Sequence, residues 1–118
     1  MRIFRIESEN GYEIREHGSA SVFLSSIIDV NRSATIHWMH FDPHGSIGGH
    51  YLTNPQIFLI VEGDGWVKSN NPEPIPVTME DGVFWDTGEW HEAGSESGMT
   101  VILIESKLPD PVTFFARF

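Results

Sequence analysis

Three polar side chains carry most of the chemistry this sequence offers: His50, Gln56 and His91. Six histidines are present. Four of them, His37, His40, His44 and His50, lie close together along the chain; His91 comes much later and His17 stands alone. A solitary histidine is ordinarily structural or solvated, but two arriving from different strand pairs can converge. Imidazole nitrogen is a good donor to Zn, Fe, Ni, Cu or Mn, and an amide oxygen adds a weaker, uncharged donor. A neutral imidazole also offers one hydrogen-bond donor and one acceptor to an organic ligand. Around His91 the chain crowds in Trp85, Asp86, Glu89, Trp90 and Glu92. Glu89 and Glu92 are the candidate catalytic carboxylates. Either one beside His91 raises the imidazole pKa or fixes its tautomer, and either could serve as a general base on reaching a cavity. The competing reading of both is a solvated turn carboxylate.

The elements that must hold these residues are strands. Ala20 to Ile28, Ala34 to Phe41, Ile57 to Val61, Gly65 to Lys68, Gly82 to Trp85 and Thr100 to Glu105 are rich in β-branched and aromatic residues. Met1 to Ile6 and Val112 to Phe118 are also strand-like. Turn chemistry separates the runs at Asp42 to Gly45, Thr53 to Pro55, Glu62 to Gly65, Ser69 to Pro72 and Thr87-Gly88. No window keeps a helical apolar period over three turns, and Tyr12 to His17 reads at most as a helical turn. Many short strands between frequent turns point to an all-β sandwich or barrel. The chain of 118 residues reads as one domain, 1–118.

Charge narrows the partners. Seven Lys and Arg face 17 Asp and Glu, a net charge of −10. That argues against a nucleic-acid surface and against docking on anionic lipid. Between Glu62 and Glu105 the only basic residue is Lys68. A dianionic substrate meets repulsion there, so a neutral small molecule is the expected ligand. There is no cysteine, no signal-like apolar leader, and no apolar run near the roughly 20 residues of a membrane span. A cytoplasmic protein is the expectation. Glycine loops for phosphates and a Gly-x-Ser-x-Gly elbow are absent as well.

At this point the chain resembles the cupin superfamily. In that family's first motif a Gly-containing turn leads to His-x-His, then a Glu, then a Gly. Here His50 takes the first His position and Gly63 the closing Gly, while Leu52 stands for the second His and Gln56 for the Glu. The second motif places Pro-x-Gly two residues before a His. Gly88 and His91 match it, whereas Asp86 replaces the Pro, Glu80 the leading Gly and Ser95 the closing Asn. The resemblance covers about residues 34–105. It implies an all-β, single cupin-type double-stranded β-helix, a jelly-roll barrel. It also implies a metal site whose ligands here would be His50, Gln56 and His91, with Zn, Fe, Mn, Ni or Cu as the divalent ion. That set has lost one imidazole and one negative charge, so its affinity should fall well below that of a complete site.

Strand alternation supplies the pocket. If Gln56 faces inward, Phe58 and Ile60 do too, and Leu52 shares a face with His50. Leu52, Phe58, Ile60, Trp85 and Trp90 are the expected pocket lining. Two functional readings stand side by side. One is a metal-dependent enzyme of oxygenase or isomerase type acting on a small neutral molecule. The other is a non-catalytic small-molecule-binding module. The aromatic tail, Val112 to Phe118, either covers the chain's own barrel or packs across a homodimer, and a homodimer that uses a terminal strand and the outer face of one sheet is the expectation.

Overall fold

The computed structural model describes residues 1–24 and 34–106. Its strands, in chain order, are β1 (Arg2–Arg5), β2 (Tyr12–Ile14), β3 (Val22–Leu24), β4 (Ala34–Phe41) and β5 (Gly45–Tyr51). They continue with β6 (Gln56–Lys68), β7 (Ile75–Thr78), β8 (Asp81–Trp85), β9 (Trp90–Ser95) and β10 (Met99–Ser106). All pairings between them are antiparallel. A first sheet runs β1-β8-β6-β10-β4. A second is built from β7, the end of β6, β9 and β5. β2 and β3 form a separate hairpin. The result is a two-sheet jelly-roll barrel. No helix among the described residues is long and apolar enough to cross a membrane.

β6 joins the two sheets. Its first part, from Gln56, pairs with β8 and β10; its last part, Asp64 to Lys68, pairs with β7 and β9. The sequence reading placed a turn at Glu62 to Gly65, and the structure corrects this to one continuous strand. Glycines mark a close approach of backbones here, not a reversal. Gly63 has φ +81°, and a Cβ on it would lie 2.3 Å from the Gly98 carbonyl oxygen. Opposite it, β10 slips register between Thr100 and Val101, the signature of a bulge that bends the strand from one sheet into the other.

β10 is apolar almost without a break because it is packed on both of its faces. Toward the second sheet lies the main core, with Phe41, Leu52, Phe58, Ile60, Val67, Val83, Trp85 and Val101 among its members. On the other face Phe4, Ile57, Phe84 and Ile104 form a smaller cluster. β5, β7 and β9 were not legible as strands. β5 carries three glycines, and β7 carries Pro76 at a sheet edge that pairs only with β6 among the described residues. Tyr12 to His17 is not a helical turn throughout: it opens with β2, and only Glu16–Gly18 forms a 3₁₀ turn. The expected strands at residues 25–28 and 112–118 lie outside the described residues.

Candidate functional site

His50 and His91 meet because of a bulge. β5 and β9 pair Ile47 with Ala93, then shift register, so that His50 faces His91 and Tyr51 faces Trp90. Without the extra residue at Gly48-Gly49, His50 would sit opposite Trp90. The glycines let the strand kink there, and the kink sets both histidines across from one another. Their rings stand edge to face, 5.1 Å between centroids. The His50 Nδ1–H donates to the Gly48 carbonyl at 2.9 Å, which leaves Nε2 as an acceptor in the neutral ring.

His91 is only 2% exposed. Its ring is walled by Trp85 at 4.4 Å and Phe58 at 5.3 Å, both edge to face. The Trp85 wall is fixed, because its Nε1–H donates to the Lys68 carbonyl at 3.1 Å. Neither ring nitrogen of His91 has a hydrogen-bond partner. Burial among aromatics, and secondarily the neighbouring His50, push its pKa down to about 4. The ring is therefore neutral at ordinary pH, with one N–H and one lone pair both unmatched. Leaving such groups dry costs about 1–3 kcal/mol each. Native interiors seldom keep them so without a water, an ion or a ligand.

Gln56 adds a third unmatched atom. Its side-chain amide donates to Glu105 Oε2 at 2.8 Å, and its Oε1 is buried without a partner. The carboxylate thus fixes which end of the amide is presented: a carbonyl acceptor. Sequence reasoning missed Glu105. The signal was there, since Val101, Leu103 and Glu105 share a strand face and the last of the three is charged. Leu52, Phe58, Ile60 and Trp85 are all in the main core. Leu52 also ties the turn after β8 in place, accepting from Gly88 N–H and donating to the Glu89 carbonyl.

The structure places Trp90, Glu89 and Glu92 elsewhere. Trp90 follows the face of Tyr51, not that of His91, and lies against Gly49 with its Nε1–H on Glu92 Oε1 at 3.0 Å. Glu92 also faces Lys68 at 3.8 Å. Glu89 is tied up by the Met1 ammonium, the Asp86 N–H and the Ser69 hydroxyl. Burial alone would raise its pKa, but these bonds and the ammonium charge outweigh it and hold the carboxyl below the usual range. Neither carboxylate is brought to His91 as a base. His40 bonds the Thr100 hydroxyl at 2.8 Å and His44 bonds Glu96 at 2.7 Å, so neither joins the pair.

This donor set does not fit a resident transition metal well. Two imidazoles and one neutral amide oxygen bring no negative charge to a dication, and the remaining ligand position of the motif is the core residue Leu52. Among the described residues no group of three or more His, Cys, Asp or Glu is arranged to hold an ion.

No family model and no curated protein sequence matches the chain. Solved structures do. An RmlC-like cupin from Shewanella frigidimarina superposes with a TM-score of 0.60 at 21% identity, covering 69% of this chain and 72% of that one. A predicted oxalate decarboxylase from Thermotoga maritima gives 0.57 at 24% identity, over 62% of this chain and 65% of that one. A conserved Streptococcus pyogenes protein of unknown function gives 0.60 at 16% identity, over 67% and 68%. The similarity is one of fold.

Proposed function

On the premise that the chain folds as a cupin barrel, we propose that it binds a small neutral organic molecule between His50, Gln56 and His91, without a resident metal. The observation that carries this reading is the buried, unpartnered, neutral imidazole of His91. The ligand offers a hydrogen-bond donor to the Gln56 carbonyl and both a donor and an acceptor to the His91 ring. A hydroxyl, amide or lactam edge meets that pattern; a carboxylate or phosphate, which only accepts, does not. Phe58 and Trp85 supply apolar walls, the usual make-up of a small-molecule site. The metal-dependent oxygenase or isomerase alternative would need an ion at these residues, and the donor set argues against one.

The test is a melting-temperature screen of neutral hydroxyl- and amide-bearing compounds, repeated on Gln56→Leu and His91→Leu. Compounds that stabilise the parent protein should lose that effect in both variants. Stabilisation that persists in both, or that comes only from added divalent metal, overturns the reading.

The same reading includes a second copy of the chain. Ile36 and Trp38 on β4 are each 69% exposed, opposite Ile104 and Ile102 on β10. An apolar strip of this kind at a sheet edge suits an isologous contact.

A further inference from the structure

The outer face of the second sheet carries a second binding site, and we propose that its ligand is a neutral saccharide. Residues of this face alternate with the inward His91 and Ala93, so the site is separate from the one above. A cleft of about 330 Å³ opens here, its lining including Tyr51, Trp90, Ser69, Asn70, Lys68 and Glu92. Its size falls in the range of small-molecule sites.

Two of its walls are aromatic and held in place. Trp90 lies so close on Gly49 that a Cβ there would be 2.1 Å from its ring, and Glu92 takes its Nε1–H. Tyr51 meets it edge to face at 5.1 Å and is 68% exposed. The aromatic corner is therefore formed before any ligand arrives, which lowers the ordering cost of binding. Lys68 also lines a second groove of about 280 Å³, together with Trp66, Pro74 and Pro76. Trp66 is seated in the same way, on Gly94.

The polar groups select the ligand. Asn70 Oδ1 is used by the Trp90 N–H at 2.9 Å, so its amide nitrogen remains to donate. The Ser69 hydroxyl gives its proton to Glu89, so its oxygen remains to accept. Lys68 lies 3.8 Å from Glu92 and 5.2 Å from the centre of the Trp66 ring, so its charge is already balanced. Aromatic faces pack on an apolar surface, and the rim offers both donors and acceptors with no net charge to satisfy. A pyranose has a C–H face for the first and hydroxyls that both donate and accept for the second. Two grooves that share Lys68 in their linings suit a ligand of two sugar units. A polyproline segment would use the aromatic faces and leave the polar rim unmatched.

The test is an NMR titration that follows the tryptophan indole N–H signals. The probes are glucose, galactose, mannose, N-acetylglucosamine, cellobiose, maltose and chitobiose, with a polyproline peptide for comparison. At least one disaccharide should move the Trp66 and Trp90 signals together and leave the Trp38 signal in place. Tyr51→Ala and Asn70→Ala should each weaken that binding about tenfold or more, equal to about 1.4 kcal/mol. Tyr51 is exposed enough for its variant to fold. Absence of any shift with all the sugars, a shift with polyproline alone, or binding undiminished in both variants overturns the proposal.

Discussion

Acid should destabilise this barrel through one ring, and the size of the effect follows from the environment of His91. In the unfolded chain His91 has the ordinary imidazole pKa of 6.5; in the folded barrel burial holds it at about 4. The folded state therefore refuses a proton that the unfolded state accepts. Sign and window follow by linkage. Above about pH 6.5 both states are neutral and the contribution to stability is fully present. It is lost as the pH falls toward about 4, and below that value both states are protonated and the loss stops growing. The gap between 6.5 and about 4, at 1.36 kcal/mol per pH unit, amounts to about 3 kcal/mol. Domains of this size are held by about 5–15 kcal/mol in all, so this is a large fraction. The perturbation that isolates it is His91→Phe, which keeps an aromatic ring against Trp85 and Phe58 but cannot titrate. Urea unfolding of both proteins across this pH range gives the assay. Glu89 also contributes stability that is lost in acid, because its folded pKa is depressed, but it does so in both proteins. The difference between parent and variant should be flat above about pH 6.5 and then move by about 3 kcal/mol against the parent. Parallel profiles would mean instead that His91 titrates in the folded barrel as it does in water.

Three further outcomes are expected. Gly63→Ala puts a side chain at φ +81° and 2.3 Å from the Gly98 carbonyl, so it should lower unfolding free energy by about 2 kcal/mol or more in urea, with no change if β6 does not cross between sheets there. Leu52→His combined with Gln56→Glu supplies the imidazole and carboxylate that the resemblance assigns to a complete metal site; this variant should retain a divalent transition metal through dialysis where the parent does not, and equal retention would mean that ligand identity is not what limits the parent. Light scattering should report a dimer of the 13.3 kDa chain, and Trp38→Glu should shift it to monomer; a monomeric parent would remove the second copy from the account.

What could be read from the sequence tracks how much local chemistry speaks for itself. β10 and the first part of β6 announce themselves because these two strands are packed on both faces and their residues are nearly all apolar. β5 and β9 do not, because glycines carry the bulge and the tryptophan seats, and glycine in a single sequence reads as turn. The pairing of His50 with His91 was expected from motif spacing, but the register that produces it depends on one inserted residue at Gly48-Gly49, which no alternation pattern reveals. The same limit explains Trp90. It is adjacent to His91 in the chain, and in a strand that adjacency puts it on the opposite face. Glu105 was legible in principle, as the charged end of an apolar alternation. Its bond to Gln56 was not, because it joins residues from two strands. Glu89 and Glu92 looked available as bases because their partners, the Met1 ammonium and the Trp90 and Lys68 side chains, are contacts that only the fold makes.

The buried His91 and half-buried Gln56, with the exposed His50 beside them, are proposed to hold a neutral organic molecule in place of a metal. Native mass spectrometry of untagged protein purified without chelator tests it most directly, because the mass retained by the folded chain distinguishes the two. The parent should carry an organic adduct, or acquire one from a panel of neutral hydroxyl and amide compounds, that is absent from His91→Leu. A stoichiometric transition-metal mass that disappears in His91→Leu would contradict it, and so would a chain that stays bare against the whole panel.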